Sequence, residues 1–210
     1  RKHSIGRTLI VGVLCTIFGA FGALKVQEAV SIQRAMDVTL VGNALGNIAR
    51  SEDENGNPPT GLLVEDTEIE GLSEDVTAGI SFSGYTARRV NVHGSADGFK
   101  ADADVLIEDC WVHDLGNYPK QHNDAVQSTG GRGVTIRHSD FSGASNAAVQ
   151  TGDEGAATED LLIECSWLDG GGWTLNIRGS GETVPVNTRI LNNRFGRNAG
   201  YGPWTIEFDS

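Results

Sequence analysis

The segment HDLGNYPKQHND, residues 113–124, concentrates side chains that transfer protons or stack on sugars. A histidine beside a carboxylate can act as a general acid or base, and the carboxylate then fixes the ring tautomer. We therefore take His122 and Asp124 as candidate catalytic residues and Tyr118 as a candidate platform for a sugar ring. A turn in which these polar side chains hydrogen-bond local backbone is the simpler interpretation, and both stay open.

A stripe of polar residues is predicted beside this segment. Short β-type runs carry apolar residues that we assign to the interior: Phe99, Val126, Val149, Leu175 and Ile206. Because successive side chains of a strand point to opposite faces, the residue after each of these lies outside. The outward residues, our candidates for substrate binding, are Lys100, Gln127, Gln150, Asn176 and Glu207, joined two residues further on by Asp102, Thr129, Arg178 and Asp209.

Gln127 and Gln150 admit two interpretations because they fall at equivalent positions of neighbouring runs. Their amides can hydrogen-bond successive sugar hydroxyls. They can also form an amide ladder that stabilises the stack, which requires no ligand.

These candidate residues depend on an internal repeat, in which two apolar positions five residues apart recur six times. The second position of the pair returns after 23, 20, 29, 27 and 27 residues, as expected for the coils of a solenoid. One coil cannot bury its own apolar side chains, so each coil must stack on its neighbours. The pairs are Val64 and Ile69, Ala87 and Val92, Ile107 and Val112, Ile136 and Phe141, Ile163 and Leu168, and Ile190 and Phe195.

Repeats such as GVTIRHSDFSG and RILNNRFGRN resemble those of the pectate-lyase superfamily, over residues 61–210. The resemblance implies an all-β fold, a right-handed parallel β-helix with three strands in each coil. It also implies that a polar sheet bordered by long loops binds polysaccharide. In this family asparagines often stack at the turn between the second and third strands. Asn192 and Asn193 match that habit, but the other coils have Asp109, His138 or Cys165 there, so we expect no continuous asparagine ladder.

If the chain is an enzyme, the resemblance implies a polysaccharide lyase or a glycoside hydrolase. A lyase of this fold uses a basic residue, but Lys100 and Arg178 are predicted three coils apart, roughly 14 Å at about 4.8 Å per coil. A glycoside hydrolase uses two carboxylates that flank the scissile bond, and Asp97 and Asp124, predicted one coil apart, are close enough to form such a pair. Strand parity turns both toward the interior, however, where they suit turn caps, and the polygalacturonase strings NTD, GHG and RIK are absent from the sequence.

No cofactor is predicted. Ca²⁺ is the one metal that the composition brings into consideration, since it takes six to eight oxygen ligands. The acidic residues near the stripe are Asp97, Asp102, Asp124 and Glu207. The sequence contains no EF-hand or nonapeptide calcium signature.

The amino-terminal part predicts a membrane segment. Residues 8–24 are seventeen residues without a charge, preceded by Arg1, Lys2 and Arg7 and followed by Lys25. This pattern predicts a hydrophobic helix in residues 1–25. It is either a signal anchor or transmembrane segment that contacts the membrane through residues 8–24, or a cleaved signal peptide. The basic residues before the apolar segment are expected to stay in the cytoplasm. The chain after that segment is therefore expected to be extracytoplasmic, either anchored or secreted. Residues 26–60 are assigned to a cap and a loop, and residues 61–210 to the β-helix.

Charge and composition narrow the partners. The sequence has 16 Lys and Arg against 28 Asp and Glu, a net charge of −12, which disfavours nucleic acid and favours neutral over acidic glycans. Four tryptophans can stack on sugars or pack in the core. Cys110 and Cys165 are predicted two coils apart, too far for a disulfide, and both are assigned to the core.

These observations predict an exported or membrane-anchored β-helix that binds or processes cell-envelope or extracellular polysaccharide. The competing hypothesis is a noncatalytic structural or adhesive solenoid of a surface or phage appendage. The β-helix is expected to be truncated after Ser210, which would leave the final coil, residues 204–210, open as a contact for oligomers.

Overall fold

The structure, a computed structural model, describes residues 9–12, 30–32, 38–45, 48–50, 61–71, 77–81, 83–119, 121–152 and 156–209. Up to residue 50 and at residues 208–209 it describes the backbone alone.

Strands make up nearly all of the regular structure. A single short 3-10 helix, Gly181–Thr183, is present in the part that is described. The strands, in chain order, are β1 (Leu9–Gly12), β2 (Val30–Ile32), β3 (Val38–Leu45), β4 (Ile48–Arg50), β5 (Leu62–Glu70), β6 (Ala78–Ile80), β7 (Tyr85–His93), β8 (Asp97–Lys100), β9 (Val105–Glu108), β10 (Trp111–Val112), β11 (Asp124–Ser128), β12 (Gly131–Arg132), β13 (Val134–Arg137), β14 (Asp140–Ala144), β15 (Ala147–Thr151), β16 (Thr158–Glu159), β17 (Leu162–Glu164), β18 (Trp167–Gly170), β19 (Trp173–Ser180), β20 (Arg189–Leu191), β21 (Arg194–Phe195) and β22 (Gly202–Asp209).

The chain is an all-β parallel solenoid of about five turns. One sheet of eight strands runs in the order β2-β4-β6-β8-β11-β15-β19-β22, and we call it the stripe sheet. A second sheet of twelve strands wraps around the rest of the coil, because β7 pairs with β9 along its first half and with β10 along its second half. A two-stranded sheet, β12-β16, closes one corner.

The predicted columns of apolar residues are confirmed. Ile107, Ile136, Ile163 and Ile190 lie opposite one another in successive strands. The second members of the pairs, Val112, Phe141, Leu168 and Phe195, form another column. Except for Ile190 and Phe195, which are partly buried, these side chains are fully enclosed in one continuous core.

A tight corner separates the two members of each apolar pair. The residue at the corner has a positive φ of 48° to 56°, and it is Asp66, Arg89, Asp109, His138, Cys165 or Asn192. The residues that follow the corner form a ladder of hydrogen bonds from coil to coil. The amide of Cys110 donates to Ser139 Oγ, the amide of Ser139 to Ser166 Oγ, and the amide of Ser166 to Asn193 Oδ1. Each of these side chains therefore caps a backbone amide of the preceding coil, and two of the three are serines.

The prediction that both cysteines lie in the core is wrong for one of them. Cys110 is buried as predicted, but Cys165 is exposed, because its position is the corner itself and its side chain points outward. Both thiols are free.

The predicted register of the last coil is wrong. Trp204, rather than Ile206, lies opposite Leu175, and Ile206 lies opposite Ile177. A shift of two residues preserves the alternation of faces, so the apolar pattern fits both registers. Ile206 is exposed because no strand that the structure describes covers β22 on its other side.

The membrane prediction falls mostly outside the described residues. Within residues 8–24 the structure describes Leu9–Gly12, a strand paired with Val38–Leu45. Of residues 26–60 it describes strands β2, β3 and β4. We find no helix with the length and apolar character that a membrane crossing needs in the part of the chain that is described.

Candidate functional site

Four residues of the predicted polar stripe lie in one column of the stripe sheet. Lys100, Gln127, Gln150 and Asn176 occupy neighbouring register positions on β8, β11, β15 and β19. The first three side chains are half-buried, whereas Asn176 is buried. Glu207 does not join the column, because Thr205 lies opposite Asn176.

The amides of this column are connected differently from the predicted ladder. Asn176 Nδ2 donates to Gln150 Oε1 at 2.6 Å, and Gln150 Nε2 donates to the carbonyl of Thr151 at 2.8 Å. Gln127 makes no side-chain hydrogen bond with the described residues, although Gln150 is its register neighbour. The amide of Gln127 therefore faces outward between Lys100 and Gln150 with its donors and acceptor available.

Two buried carboxylates lie at the edge of this column. Asp97 and Asp124 are the first residues of β8 and β11, and they occupy adjacent coils as predicted. Asp97 Oδ1 accepts a hydrogen bond from the backbone amide of Asp124 at 2.9 Å, and its Oδ2 lies 3.5 Å from Lys100 Nζ. Asp124 Oδ1 accepts from Asn146 Nδ2 at 2.8 Å. Asp97 thus caps the backbone of the next coil, and Asp124 binds a side chain of the next coil. Both are buried, as strand parity predicts.

Burial raises the pKa of both carboxyl groups. Removal from water, assisted by the negative charge of Asp97, raises the pKa of Asp124 to about 7. Burial also raises the pKa of Asp97, against the opposing effects of the Asp124 amide and Lys100. Asp124 Oδ2 has no hydrogen-bond partner among the described residues. The site therefore contains a carboxyl group that gains or loses its proton near neutral pH.

His122 covers the edge of the carboxylate pair from outside. Its side chain is 70% exposed, and its Nδ1 lies 3.9 Å from Asp124 Oδ2. That distance suits an ion pair with a protonated ring, but it exceeds a hydrogen bond, so the carboxylate does not fix the tautomer. The structure brings His122 and Asp124 together, with His122 as the member that solvent reaches.

The loop that carries His122 is fastened to the solenoid. Tyr118 Oη donates to the carbonyl of Gly94 at 2.7 Å, and the amide of Gly116 donates to the carbonyl of Ser95 at 2.8 Å. Within the loop, Asn123 Nδ2 donates to the carbonyl of Gly116 at 2.8 Å. The Tyr118 ring is half-buried over Gly116. Its hydroxyl is therefore occupied by the fold, and the partly exposed ring is what remains for contact with a ligand.

The other two predicted binding residues lie apart from this centre. Arg178 and Glu207 are opposite each other in β19 and β22, with Arg178 Nε and Glu207 Oε2 3.9 Å apart. Arg178 is on β19, three coils from Lys100 on β8, which is roughly 14 Å along the solenoid axis at about 4.8 Å per coil. The two basic residues do not meet at one point.

The acidic residues do not assemble a metal site. Asp102 Oδ1 accepts hydrogen bonds from the amide and hydroxyl of Thr129, and Glu207 lies near Arg178. Within the described part of the chain, no group of three or more His, Cys, Asp or Glu side chains is placed to hold a metal ion.

Asn146 is a member of the site that sequence reasoning missed. Its Nδ2 donates to Asp124 Oδ1 and lies 3.4 Å from Gln150 Oε1, so it joins the carboxylate pair to the amide column. A signal for it exists in the sequence, where NDAVQ at 123–127 repeats as NAAVQ at 146–150. The repeat places Asn123 and Asn146 at equivalent positions, and Asn146 N donates to the Asn123 carbonyl.

Comparisons of this chain with protein-family models, with curated proteins and with solved structures find no match.

Proposed function

We propose that this solenoid is an exported or membrane-anchored, extracytoplasmic protein that binds neutral polysaccharide along the stripe sheet. The observation that carries the proposal is the side-chain amide of Gln127, which has no hydrogen-bond partner in the described part of the chain and faces outward in register between Lys100 and Gln150. A carboxamide offers two donors and an acceptor, the set that vicinal sugar hydroxyls require. The net charge of −12 favours a neutral glycan over an acidic one.

Replacing Gln127 by alanine is expected to weaken glycan binding about fivefold, the loss of one hydrogen bond worth about 1 kcal/mol. Screening the full chain on an array of neutral and acidic glycans identifies the ligand, and isothermal titration calorimetry measures its affinity. Thr135→Ala is the matched control, because Thr135 is also half-buried and outward but lies on the twelve-stranded sheet. Equal affinities for all three proteins, or no binding to any glycan, would refute the proposal.

The same site supports processing of the bound glycan as an extension of the proposal. His122 is the proton-transfer group that a substrate can reach, and Asp124 behind it holds a proton near neutral pH. Asp97 and Asp124 are too buried to flank a glycosidic bond themselves. We assign His122 as the acid or base, with Asp124 as the positioning residue that supports its charge.

If the chain cleaves its glycan, His122→Asn should lower the rate about 100-fold, the usual effect of losing a general acid or base. The measurement is the release of reducing ends from the glycan that the array identifies. His138→Asn is the matched control, because it removes another exposed histidine, one that lies at a corner of the twelve-stranded sheet. An equal rate in both variants would exclude His122 from the chemistry.

A noncatalytic solenoid is the second candidate function, and two observations favour it. The hydrogen bond between Asn176 and Gln150 and the capping bonds of Asp97 stabilise the stack without a ligand. The distance of 3.9 Å between His122 and Asp124 leaves them short of a formed catalytic pair. Binding without release of reducing ends would favour an adhesive role, and failure to bind any glycan would favour a structural one.

A further inference from the structure

A second surface with ligand-binding character lies around the corner from the stripe sheet. It is the outer face of the strands that follow the tight corner, where Asn91, Trp111, Asp140, Trp167 and Arg194 form one column in register. We call this column the tryptophan strip. Aromatic and polar side chains alternate along it, one in each coil.

The two indoles of the strip are presented to solvent. Trp111 is 47% exposed and Trp167 is 42% exposed. The Trp111 ring stacks on the imidazole of His113, with the ring centroids 3.7 Å apart. His113 is itself held by contacts of 2.9 Å to Asn91 Oδ1 and 2.8 Å to Asp114 Oδ2. One face of Trp111 is thus supported by a fixed ring, which orients the indole at little further cost in entropy.

The spacing of the indoles suits a linear sugar chain. Trp111 and Trp167 are separated by two coils, about 10 Å at about 4.8 Å per coil. In a β-1,4-linked glycan every second ring has the same orientation, and the repeat of two rings has a similar length. The exposed carboxylate of Asp140 lies between the indoles, where it can accept hydrogen bonds from the hydroxyls of the intervening ring.

The geometry points to the tryptophan strip as a binding site for a neutral β-1,4-linked glycan that lies along the solenoid axis. Two sugar rings stack on Trp111 and Trp167, and the ring between them donates hydroxyl hydrogen bonds to Asp140. This site is separate from the stripe sheet and does not depend on the function proposed for Gln127 and His122.

The composition of the strip favours a glycan over an apolar protein partner. An apolar surface laid across both indoles would bury the carboxylate of Asp140 without a partner, which is costly. It would also cover the guanidinium of Arg194, which follows Trp167 in the column. A glycan can contact the indoles and the charged side chains at once, because its ring faces are apolar and its edges carry hydroxyls that hydrogen-bond.

Titration of the full chain with cellohexaose by isothermal titration calorimetry tests the site. We expect Trp167→Ala and Trp111→Ala each to weaken binding about tenfold, the loss of one stacked ring. Trp167→Phe keeps a flat ring and should retain most of the affinity. Trp204→Ala is the matched control, because it removes another exposed tryptophan, one that lies on the stripe sheet, and it should leave the affinity unchanged.

The thermal unfolding midpoint of each variant shows whether it has kept its fold. If an alanine variant fails to fold, Trp167→Gln serves as the binding test, because it keeps a long side chain without a flat ring and should weaken binding as much as Trp167→Ala. Weakening by Gln127→Ala without weakening at Trp111 or Trp167 would assign cellohexaose to the stripe sheet and overturn this inference. Absence of cellohexaose binding by the unmodified chain would overturn it as well. Weakening at both tryptophans but not at Gln127 would support it.

Discussion

Replacing Ile136 by alanine is expected to lower the free energy of unfolding by about 3 to 5 kcal/mol, a large part of the stability of an ordinary domain. Ile136 is fully buried between Ile107 and Ile163 in the central column. Its side chain contributes to the interfaces with the coil on either side, so the cavity weakens two contacts between repeats. In a solenoid those contacts between neighbouring repeats are what hold the array together.

Urea denaturation of the full chain, followed by circular dichroism, measures this change. Leu191→Ala is the control, since Leu191 lies two strands away in the same sheet but is 43% exposed, and it should change the stability by less than about 1 kcal/mol. Ile136→Val should fall between the two, at about 1 kcal/mol. An Ile136→Ala variant as stable as Leu191→Ala would show that the column is not the stabilising core.

The coil architecture was predictable because burial constrains both the spacing and the parity of the repeat. A pair such as Ile107 and Val112 must turn both side chains inward across one corner, and every coil repeats that demand. The details at the corners were not predictable in the same way. Cys165 is an apolar residue by type, but the backbone at its position places it on the convex side of the turn.

The candidate site was only partly predictable for a related reason. Alternation alone located Lys100, Gln127, Gln150 and Asn176 in one column, since each follows a buried apolar residue. The partners of those side chains depend on which loop reaches over them. Asn146 connects Asp124 to Gln150 from the start of the next coil. The alternation of apolar and polar residues along the strands does not predict that contact.

Register in the last coil marks the limit of periodicity as a guide. Trp204 and Ile206 have the same parity, so either one satisfies an inward position opposite Leu175. The choice between them moves Glu207 from beside Asn176 to beside Arg178. Hydrogen bonding along the whole length of β19 and β22 decides the register, and a pattern of apolar residues does not report it.

The two buried carboxylates connect stability and function in this fold. Asp97 and Asp124 cap the backbone of the next coil, which favours a structural role. Asp124 Oδ2 has no hydrogen-bond partner among the residues that the structure describes, and its contact with His122 is more than capping requires. Ionising a buried carboxyl group lowers the free energy of unfolding, and the size of that loss can be measured.

Replacing Asp124 by asparagine is expected to remove most of a strong dependence of stability on pH. In the folded chain the pKa of Asp124 is raised from 3.8 to about 7 by burial. The fold therefore favours the protonated acid, so the stabilisation is fully present below pH 4 and is lost as the pH rises through 7. A shift of this size corresponds to a loss of about 4 kcal/mol between pH 4 and pH 8.

Asparagine has nearly the same shape, is neutral at every pH, and keeps an oxygen that can accept the hydrogen bond from Asn146 Nδ2. At pH 8 the Asp124→Asn chain should be more stable than the unmodified chain, and at pH 4 the two should be similar. Urea denaturation at both pH values measures the difference, in which the titration of distant groups cancels. Asp97 reinforces the result, since it loses a negatively charged neighbour in the variant. Parallel stability profiles for the two chains would mean that Asp124 is ionised at no cost, and its assignment as a proton-holding group would have to be withdrawn.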